Sequence, residues 1–118
     1  DIDYVNMHAT STPVGDQSEL IAMQRVFGTE TDLAVSATKS MTGHLLGAAG
    51  AIEAIASIKA IQEGMIPPTI NTQEVDDEWV GKFDMTLGTP QKRDVRYAMS
   101  NTFGFGGHIA TAIFKRFE

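Results

Sequence analysis

Short apolar runs separated by polar loops alternate with longer stretches of helical spacing along the chain. The runs at 2–7, 33–35 and 97–101 are rich in strand formers, and each ends in a polar or glycine-rich loop. Apolar residues recur at helical spacing over 20–27, which predicts a helix that ends at Gly28. Strands alternating with helices indicate an α/β protein with a mixed sheet.

A second helix is predicted over 43–63, and its first half is crowded with glycine and alanine. Glycine weakens a helix by about 1 kcal/mol relative to alanine, so we expect this half to pack closely against a sheet or another helix. The second half is apolar over most of its circumference, which predicts a buried helix. Glu53 and Lys59 interrupt the apolar stretch and argue against a membrane span.

The remaining segments predict a long connection and a terminal hairpin. Residues 66–88 begin near two prolines and continue through an acidic stretch, which is typical of a surface connection, with a minor strand at 83–87. A last strand is predicted at 109–114, after the glycine-rich loop 103–107. With the strand before it, it forms a hairpin-like, antiparallel pair.

Composition and charge limit the class of protein. The chain has 118 residues, of which 42% are hydrophobic and 20% charged, and this suits one folded domain, 1–118. Its 9 Lys and Arg against 15 Asp and Glu disfavour nucleic acid as a partner. The densest basic cluster, Lys92, Arg93 and Arg96, is interpreted as a solvated surface. With no cysteine, these residues hold no disulfide, thiolate metal site or cysteine nucleophile.

Some features of the sequence bear on whether it is part of a longer protein and on its cellular location. It begins with Asp1 rather than methionine, directly before a strand-like run, so we expect a piece of a longer protein. It has no pattern of a signal peptide, and its lack of cysteine fits a reducing compartment. These features together predict a cytoplasmic location.

Three predicted strands end in loops that carry candidate functional residues. In open α/β sheets, functional sites lie at the carboxyl ends of the strands. The first loop carries His8, the second carries Lys39 and leads to His44, and the third is the glycine-rich loop 103–107. Two imidazoles and an ammonium group suit proton transfer or the stabilisation of a negative oxygen. A structural hydrogen-bonding role for each histidine is the alternative.

Other kinds of site lack their sequence patterns. His8, His44 and His108 show no short metal-ligand spacing. No Gly-x-Ser-x-Gly turn is present, and the loop 103–107 lacks the glycine spacing of a dinucleotide site and precedes a strand. We therefore expect neither a metal nor a cofactor.

Three longer motifs allow the sequence to be compared with a known family. They read VNMHATSTP at 5–13, TKSMTGHLLGAAG at 38–50 and NTFGFGG at 101–107. In order and spacing they closely resemble the C-terminal motifs of the elongating β-ketoacyl-acyl carrier protein synthases, over essentially the whole chain. Within that family the sequence is most similar to the bacterial type II enzymes of fatty-acid elongation.

The resemblance implies the thiolase fold, in which two similar α/β halves pack together and the enzyme is a homodimer. These residues would form the C-terminal half from its second strand onward, with the half that bears the nucleophilic cysteine outside them. We expect the absent first strand to lie in the middle of the sheet. Buried backbone groups need partners, so residues 1–118 alone would not form the native sheet as a monomer.

The family reaction is a decarboxylative Claisen condensation. An acyl chain is moved onto cysteine, and the carbanion formed when malonyl-acyl carrier protein loses carbon dioxide attacks it. The acyl carrier protein is thus the implied partner. The resemblance implies that His44 donates to the thioester oxygen and that His8 assists decarboxylation, as a second donor or by activating a water.

Further roles follow from the same resemblance. Lys39 matches the active-site lysine, and Glu19 matches a buried glutamate. Asp16 and Glu19 also have the spacing of a capping box at a helix start, so two interpretations of Glu19 stay open. Thr10 and Thr12 match positions that bind the pantetheine arm, with a plain turn as the alternative.

The glycine-rich loop matches the family's gating loop. Phe105 matches the gating phenylalanine, and its backbone N–H would complete an oxyanion hole. The glycines on both sides provide the backbone freedom that a gate needs. The loop consists of Phe103, Gly104, Phe105, Gly106 and Gly107.

Three residues depart from the family pattern. Ala9 stands where glycine is common, and His108 with Ile109 stands where Thr-Asn usually follows the double glycine. Ile109 cannot make the hydrogen bonds of an asparagine amide. His108 is interpreted as structural.

Two alternative functions stay open. One is a polyketide or specialised-lipid ketosynthase, whose motifs are nearly the same. The other is a non-catalytic partner subunit similar to a chain-length factor. His8, Lys39 and His44 argue against the second, because such a subunit needs none of them.

Overall fold

A four-stranded sheet with helices on both faces organises residues 1–118, all of which are described in a computed structural model. Two short 3-10 turns, at Leu46–Ala48 and Asp77–Trp79, add to the regular elements. The elements in chain order are β1 (Tyr4–Asn6), α1 (Pro13–Phe27), β2 (Ala34–Ser36), α2 (Lys39–Thr42), α3 (Ala49–Glu63), β3 (Met65–Ile66), β4 (Gln91–Lys92), β5 (Tyr97–Gly104) and β6 (His108–Lys115).

The strand order is β2-β1-β5-β6, with β3 and β4 as a separate antiparallel pair. Strand β1 runs parallel to both of its neighbours, whereas β6 runs antiparallel to β5. The mixed α/β sheet with antiparallel last strands is therefore confirmed.

The sheet is continuous, so the expectation that an absent strand lies in its middle is wrong. Strand β1 pairs directly with β5, from Tyr4 opposite Ala98 to Asn6 opposite Ser100. The predicted failure to form the sheet depended on unpaired backbone groups at this position, and here those groups are paired. The open position is instead the outer edge of β6, where all residues but one are exposed.

Alternate residues of β1 belong to two different cores, because successive strand side chains face opposite sides of a sheet. Tyr4 packs in one cluster with Ala60 and Ile61 of α3. Val5 packs in the other with Met23 of α1. Helices α3 and α1 therefore cover opposite faces of the sheet.

The second long helix begins later than predicted. Helix α2 ends at Thr42 and is followed by Gly43, which has φ 72°; a 3-10 turn then follows in which Leu46 has φ 53°. Positive φ interrupts a right-handed helix, so α3 starts only at Ala49. His44 consequently lies on a loop between helices, not within one.

Helix α3 buries one face, so the prediction of burial over most of its circumference is wrong. Ile55 and Ile58 are exposed. The close packing expected of its glycines is found at Gly50, where a Cβ would lie 3.3 Å from Thr102 Oγ1 on β5. No helix in the structure has the length and apolar character required to cross a membrane. The buried face consists of Ala49, Glu53, Ser57, Ala60 and Ile61.

The connection 66–88 is more than a surface loop. Trp79 and Phe83 are buried in the core cluster that includes Val5. The predicted minor strand at 83–87 is reduced to isolated bridges, one of which joins Asp84 to Ala34. This segment thus covers part of the α1 face of the sheet.

Candidate functional site

The carboxyl ends of β1 and β2 bring His8 and Lys39 together. These strands are parallel neighbours, so the residues that follow them meet at one edge of the sheet. Lys39 Nζ lies 3.4 Å from His8 Nδ1. An ammonium group can only donate, so Nδ1 of His8 accepts and the neutral ring carries its proton on Nε2.

The surroundings of His8 keep its imidazole neutral. Burial, and then the positive charge of Lys39, lower the pKa of His8 to about 4, with a smaller effect of His44 in the same direction. Each of these influences penalises the imidazolium form. At pH 7 the ring is therefore a hydrogen-bond donor through Nε2.

His44 places a second imidazole beside the first. The two ring centroids are 5.5 Å apart, and the rings meet edge to face at 89°. His44 is exposed, and its Nδ1 accepts the backbone N–H of Leu46 at 3.4 Å. Its proton is therefore also on Nε2. Two neighbouring Nε2–H donors suit the stabilisation of one negatively charged oxygen.

Lys39 is paired with Glu53, a residue that was not predicted from the sequence to belong to the site. The two side chains form an ion pair and are only 5% and 1% exposed. Glu53 lies on the buried face of α3 with small residues such as Ala49 and Ser57. A carboxylate on such a stripe needs a cation, and this signal could have identified it from sequence.

Glu19 holds the turn that follows β1. One carboxylate oxygen, Oε1, accepts the backbone N–H of His8 at 2.8 Å, and Oε2 accepts that of Ala9 at 2.9 Å. Asn101 Nδ2 donates to Oε1 at 3.2 Å. Burial raises the pKa of Glu19, and these three donors oppose that rise. Glu19 therefore fixes the backbone from which the His8 ring extends.

The capping-box interpretation of Glu19 is wrong. Helix α1 begins at Pro13, with Thr12 in the N-cap position and no side-chain capping hydrogen bond. Asp16 accepts the backbone N–H of Ser11 at 3.1 Å. The acidic residues of the first turns thus stabilise the preceding loop rather than the helix start.

The residue after His8 has an unusual backbone conformation. Ala9 is left-handed, with φ 30°. Glycine reaches positive φ without the steric penalty that a Cβ adds. The turn after His8 is therefore strained at the position where the sequence departs from the family pattern. The hydrogen bond from Ala9 to Glu19 holds it in place.

The glycine-rich loop joins β5 to β6 beside the imidazoles. The Phe103 ring lies 5.2 Å from the His8 ring, whereas Phe105 is 96% exposed. Gly106 and Gly107 have φ of 80° and 82°. The structure thus brings Phe103, and not Phe105, against His8.

The other predicted site residues lie at the margin of this cluster. The hydroxyl oxygens of Thr10 and Thr12 are 3.5 Å apart. Thr12 also lines a cavity of about 450 Å³ between α1 and the connection 66–88. His108 and Ile109 are exposed at the start of β6. No group of three or more His, Cys, Asp or Glu side chains is placed to hold a metal ion.

The site thus consists of paired imidazoles at the carboxyl edge of a sheet that is covered by helices on both faces. Residues 1–73 match the family model described as "Beta-ketoacyl synthase, C-terminal domain". The chain therefore belongs to the β-ketoacyl synthase family, through its C-terminal domain. This confirms the family resemblance, and the matched residues include the motifs at 5–13 and 38–50.

Relatives of known function agree with this assignment. Over 119 residues the chain is 50% identical to 3-oxoacyl-[acyl-carrier-protein] synthase 2 of Staphylococcus aureus (strain COL), covering 100% of the chain and 28% of the relative. Over 116 residues it is 54% identical to the mitochondrial 3-oxoacyl-[acyl-carrier-protein] synthase of Arabidopsis thaliana, covering 96% and 25%.

Solved structures show the same fold. The ishigamide ketosynthase/chain length factor matches with a TM-score of 0.92 and 37% identity, over 99% of this chain and 28% of that one. The chain thus spans about a quarter of the length of the proteins it matches.

Proposed function

We propose that these residues form the C-terminal catalytic part of a 3-oxoacyl-[acyl-carrier-protein] synthase of fatty-acid elongation. The observation that carries the proposal is the pair of imidazoles, 5.5 Å apart, whose Nδ1 atoms are both occupied as acceptors. Each ring therefore carries its proton on Nε2, and the two donors belong to adjacent rings. This is the arrangement that a developing enolate oxygen requires.

The two histidines would act when malonyl-acyl carrier protein loses carbon dioxide. The electron pair of the broken carbon–carbon bond moves toward the thioester carbonyl, whose oxygen becomes negative. His44 and His8 would donate to that oxygen. Because Lys39 occupies Nδ1 of His8 and the proton is on Nε2, the geometry supports the donor role of His8 over activation of a water.

The remaining residues would support this step. Lys39, paired with Glu53, contributes the charge that keeps His8 neutral. Thr10 and Thr12 would bind the pantetheine arm, and Phe105 with its glycine neighbours would gate the site. The cysteine nucleophile would come from outside these residues, since they contain none.

The wider setting is proposed from the relatives. Their names include the acyl-carrier-protein, and we propose an acyl carrier protein with acyl or malonyl phosphopantetheine as the partner here. We further propose a homodimer that works in the cytoplasm and requires no cofactor. Residues 1–118 would be its C-terminal β-ketoacyl synthase domain.

The test uses the intact natural polypeptide that contains these residues, with acyl- and malonyl-acyl carrier protein. The malonyl group is labelled in its free carboxyl, and the carrier-bound product is weighed by mass spectrometry. Label released as carbon dioxide, with one two-carbon extension, is the expected result. Repeated extension without reduction would instead identify a polyketide ketosynthase. Absence of both carbon dioxide release and extension would overturn the proposal.

A further inference from the structure

A chain of three side chains links the β5–β6 hairpin to the turn that carries His8. Thr111 and Asn101 are directly opposite each other on β6 and β5. Thr111 Oγ1 donates to Asn101 Oδ1 at 3.0 Å, and Asn101 Nδ2 donates to Glu19 Oε1 at 3.2 Å. The same Oε1 accepts the backbone N–H of His8.

Chemistry determines the direction of these hydrogen bonds. A carboxylate only accepts, so the Asn101 side chain must present its NH₂ group to Glu19. This leaves Oδ1 facing β6, where the Thr111 hydroxyl donates to it. Thr111 therefore stabilises the one orientation of the Asn101 amide that Glu19 can use.

The buried Glu19 carboxylate needs a side-chain donor that fixes its orientation. It is 1% exposed, and its two oxygens must stay aligned with consecutive N–H groups of a turn strained at Ala9. Asp16 on the same helix adds negative charge near Glu19, and Lys39 contacts the ring of His8. Asn101 is the side chain that donates to this carboxylate.

We propose that Asn101 is a positioning residue for His8, acting through Glu19 and supported by Thr111. Asn101 holds the Glu19 carboxylate, the carboxylate holds the backbone of His8 and Ala9, and the imidazole is thereby kept beside His44. This inference rests on the proposed function, in which His8 serves decarboxylation. It also gives the gating hairpin and the His8 turn a common anchor.

The test compares two partial reactions of the intact natural polypeptide: acyl transfer onto cysteine, and decarboxylation of malonyl-acyl carrier protein. Asn101→Leu removes both hydrogen bonds at similar side-chain size. We expect it to lower decarboxylation about tenfold relative to acyl transfer, because His8 serves only the former. Thr111→Val should lower the same ratio about threefold. Thr111→Ser retains the hydroxyl and should behave as the parent.

A second measurement does not depend on the reaction. Hydrogen exchange of a peptide covering 7–12 reports on the N–H groups of His8 and Ala9 that Glu19 accepts. We expect faster exchange of this peptide in Asn101→Leu and Thr111→Val, with peptides of α3 unchanged. A general loss of stability would accelerate both regions.

The outcomes separate this inference from the proposed function. Equal loss of both partial reactions, or unchanged exchange at 7–12, would overturn the role of Asn101. If the parent shows neither reaction, the proposed function fails, and the exchange of 7–12 still decides whether Asn101 positions the turn. If Asn101→Leu does not fold, an equal ratio in Thr111→Val and Thr111→Ser overturns the inference.

Discussion

His8 and His44 meet at one sheet edge, but from opposite surroundings. His8 is 8% exposed and touches the buried groups Lys39 and Glu19, through its ring and its backbone respectively. His44 lies on an exposed loop, held by the backbone N–H of Leu46. One donor is therefore tied to the stability of the fold, whereas the other is tied mainly to a local turn.

This difference predicts which substitutions alter both folding and the reaction and which alter the reaction alone. Changes around His8 should alter folding and chemistry together, because its neighbours are buried polar groups that need their partners. Changes at His44 should alter chemistry with little effect on folding. Substitutions at Glu53, His44, His8 and Ala9 test this contrast.

The largest effect is expected at the ion pair behind His8. Glu53→Gln leaves the Lys39 ammonium buried without its counter-ion, which should lower the free energy of unfolding by about 3 kcal/mol. The matched control is Glu63→Gln on the same helix, because Glu63 pairs with Lys59 at the exposed surface. That variant should lose under about 0.5 kcal/mol. Urea denaturation measures both, and equal losses would contradict the prediction.

At His44 the effect should be on the reaction alone. In the intact protein, His44→Ala should slow decarboxylation of malonyl-acyl carrier protein by roughly 3 kcal/mol, on the order of a hundredfold, as for one oxyanion donor. The free energy of unfolding should change by less than about 0.5 kcal/mol, because the side chain is exposed. Decarboxylation within about twofold of the parent would show that the assigned role is wrong.

The pH dependence of stability should distinguish His8. Its pKa is 6.5 in the unfolded chain and about 4 in the fold, so the unfolded state takes up the proton first as the pH falls. The stability that neutral His8 provides is complete above pH 6.5 and is lost as the pH falls toward about 4. The free energy of unfolding of His8→Gln should fall less over this interval.

The pH-dependent contributions of other acidic groups to stability cancel when the parent is compared with His8→Gln. Burial raises the pKa of Glu19 and Asp16, which gives their contributions the opposite sign, but both are present in parent and variant. Urea denaturation between pH 6.5 and about 4 is the measurement. Parallel curves for parent and His8→Gln would refute the lowered pKa.

The smallest effect concerns the strained turn after His8. Ala9→Gly should raise the free energy of unfolding by about 0.5 kcal/mol, because relief of the positive φ exceeds the extra freedom of glycine in the unfolded chain. Ala51→Gly on an exposed face of α3 is the matched control and should lower it by about 1 kcal/mol. If both glycines destabilise alike, the turn is not strained.

Local patterns were sufficient to predict much of the fold and part of the site. Apolar runs predicted the strands that end before His8 and Lys39, and helical spacing predicted α1 and most of α3. Period and composition are properties of neighbouring residues, so they can be identified without knowledge of packing. The start of α3 was predicted too early, because the conformational preferences of leucine do not indicate the positive φ of Leu46.

Long-range partners could not be identified in this way. The spacing of Asp16 and Glu19 suggested a cap, but Glu19 instead accepts N–H groups 10 and 11 positions earlier. Lys39 forms an ion pair with Glu53, which follows it by 14 positions and lies on another helix. The strand order also differs from the expectation, because β1 pairs with β5 across more than half of the chain.

Residue types at short spacing were sufficient to establish the α/β pattern, the family and the loops that carry His8, Lys39 and His44. The folded structure was needed to show that Glu19 bonds to His8, that Asn101 links Glu19 to Thr111 and that Glu53 pairs with Lys39. A buried polar group bonds to whichever partner the packed elements leave within about 3 Å. That choice is made by the packing of whole elements, and no local pattern encodes it.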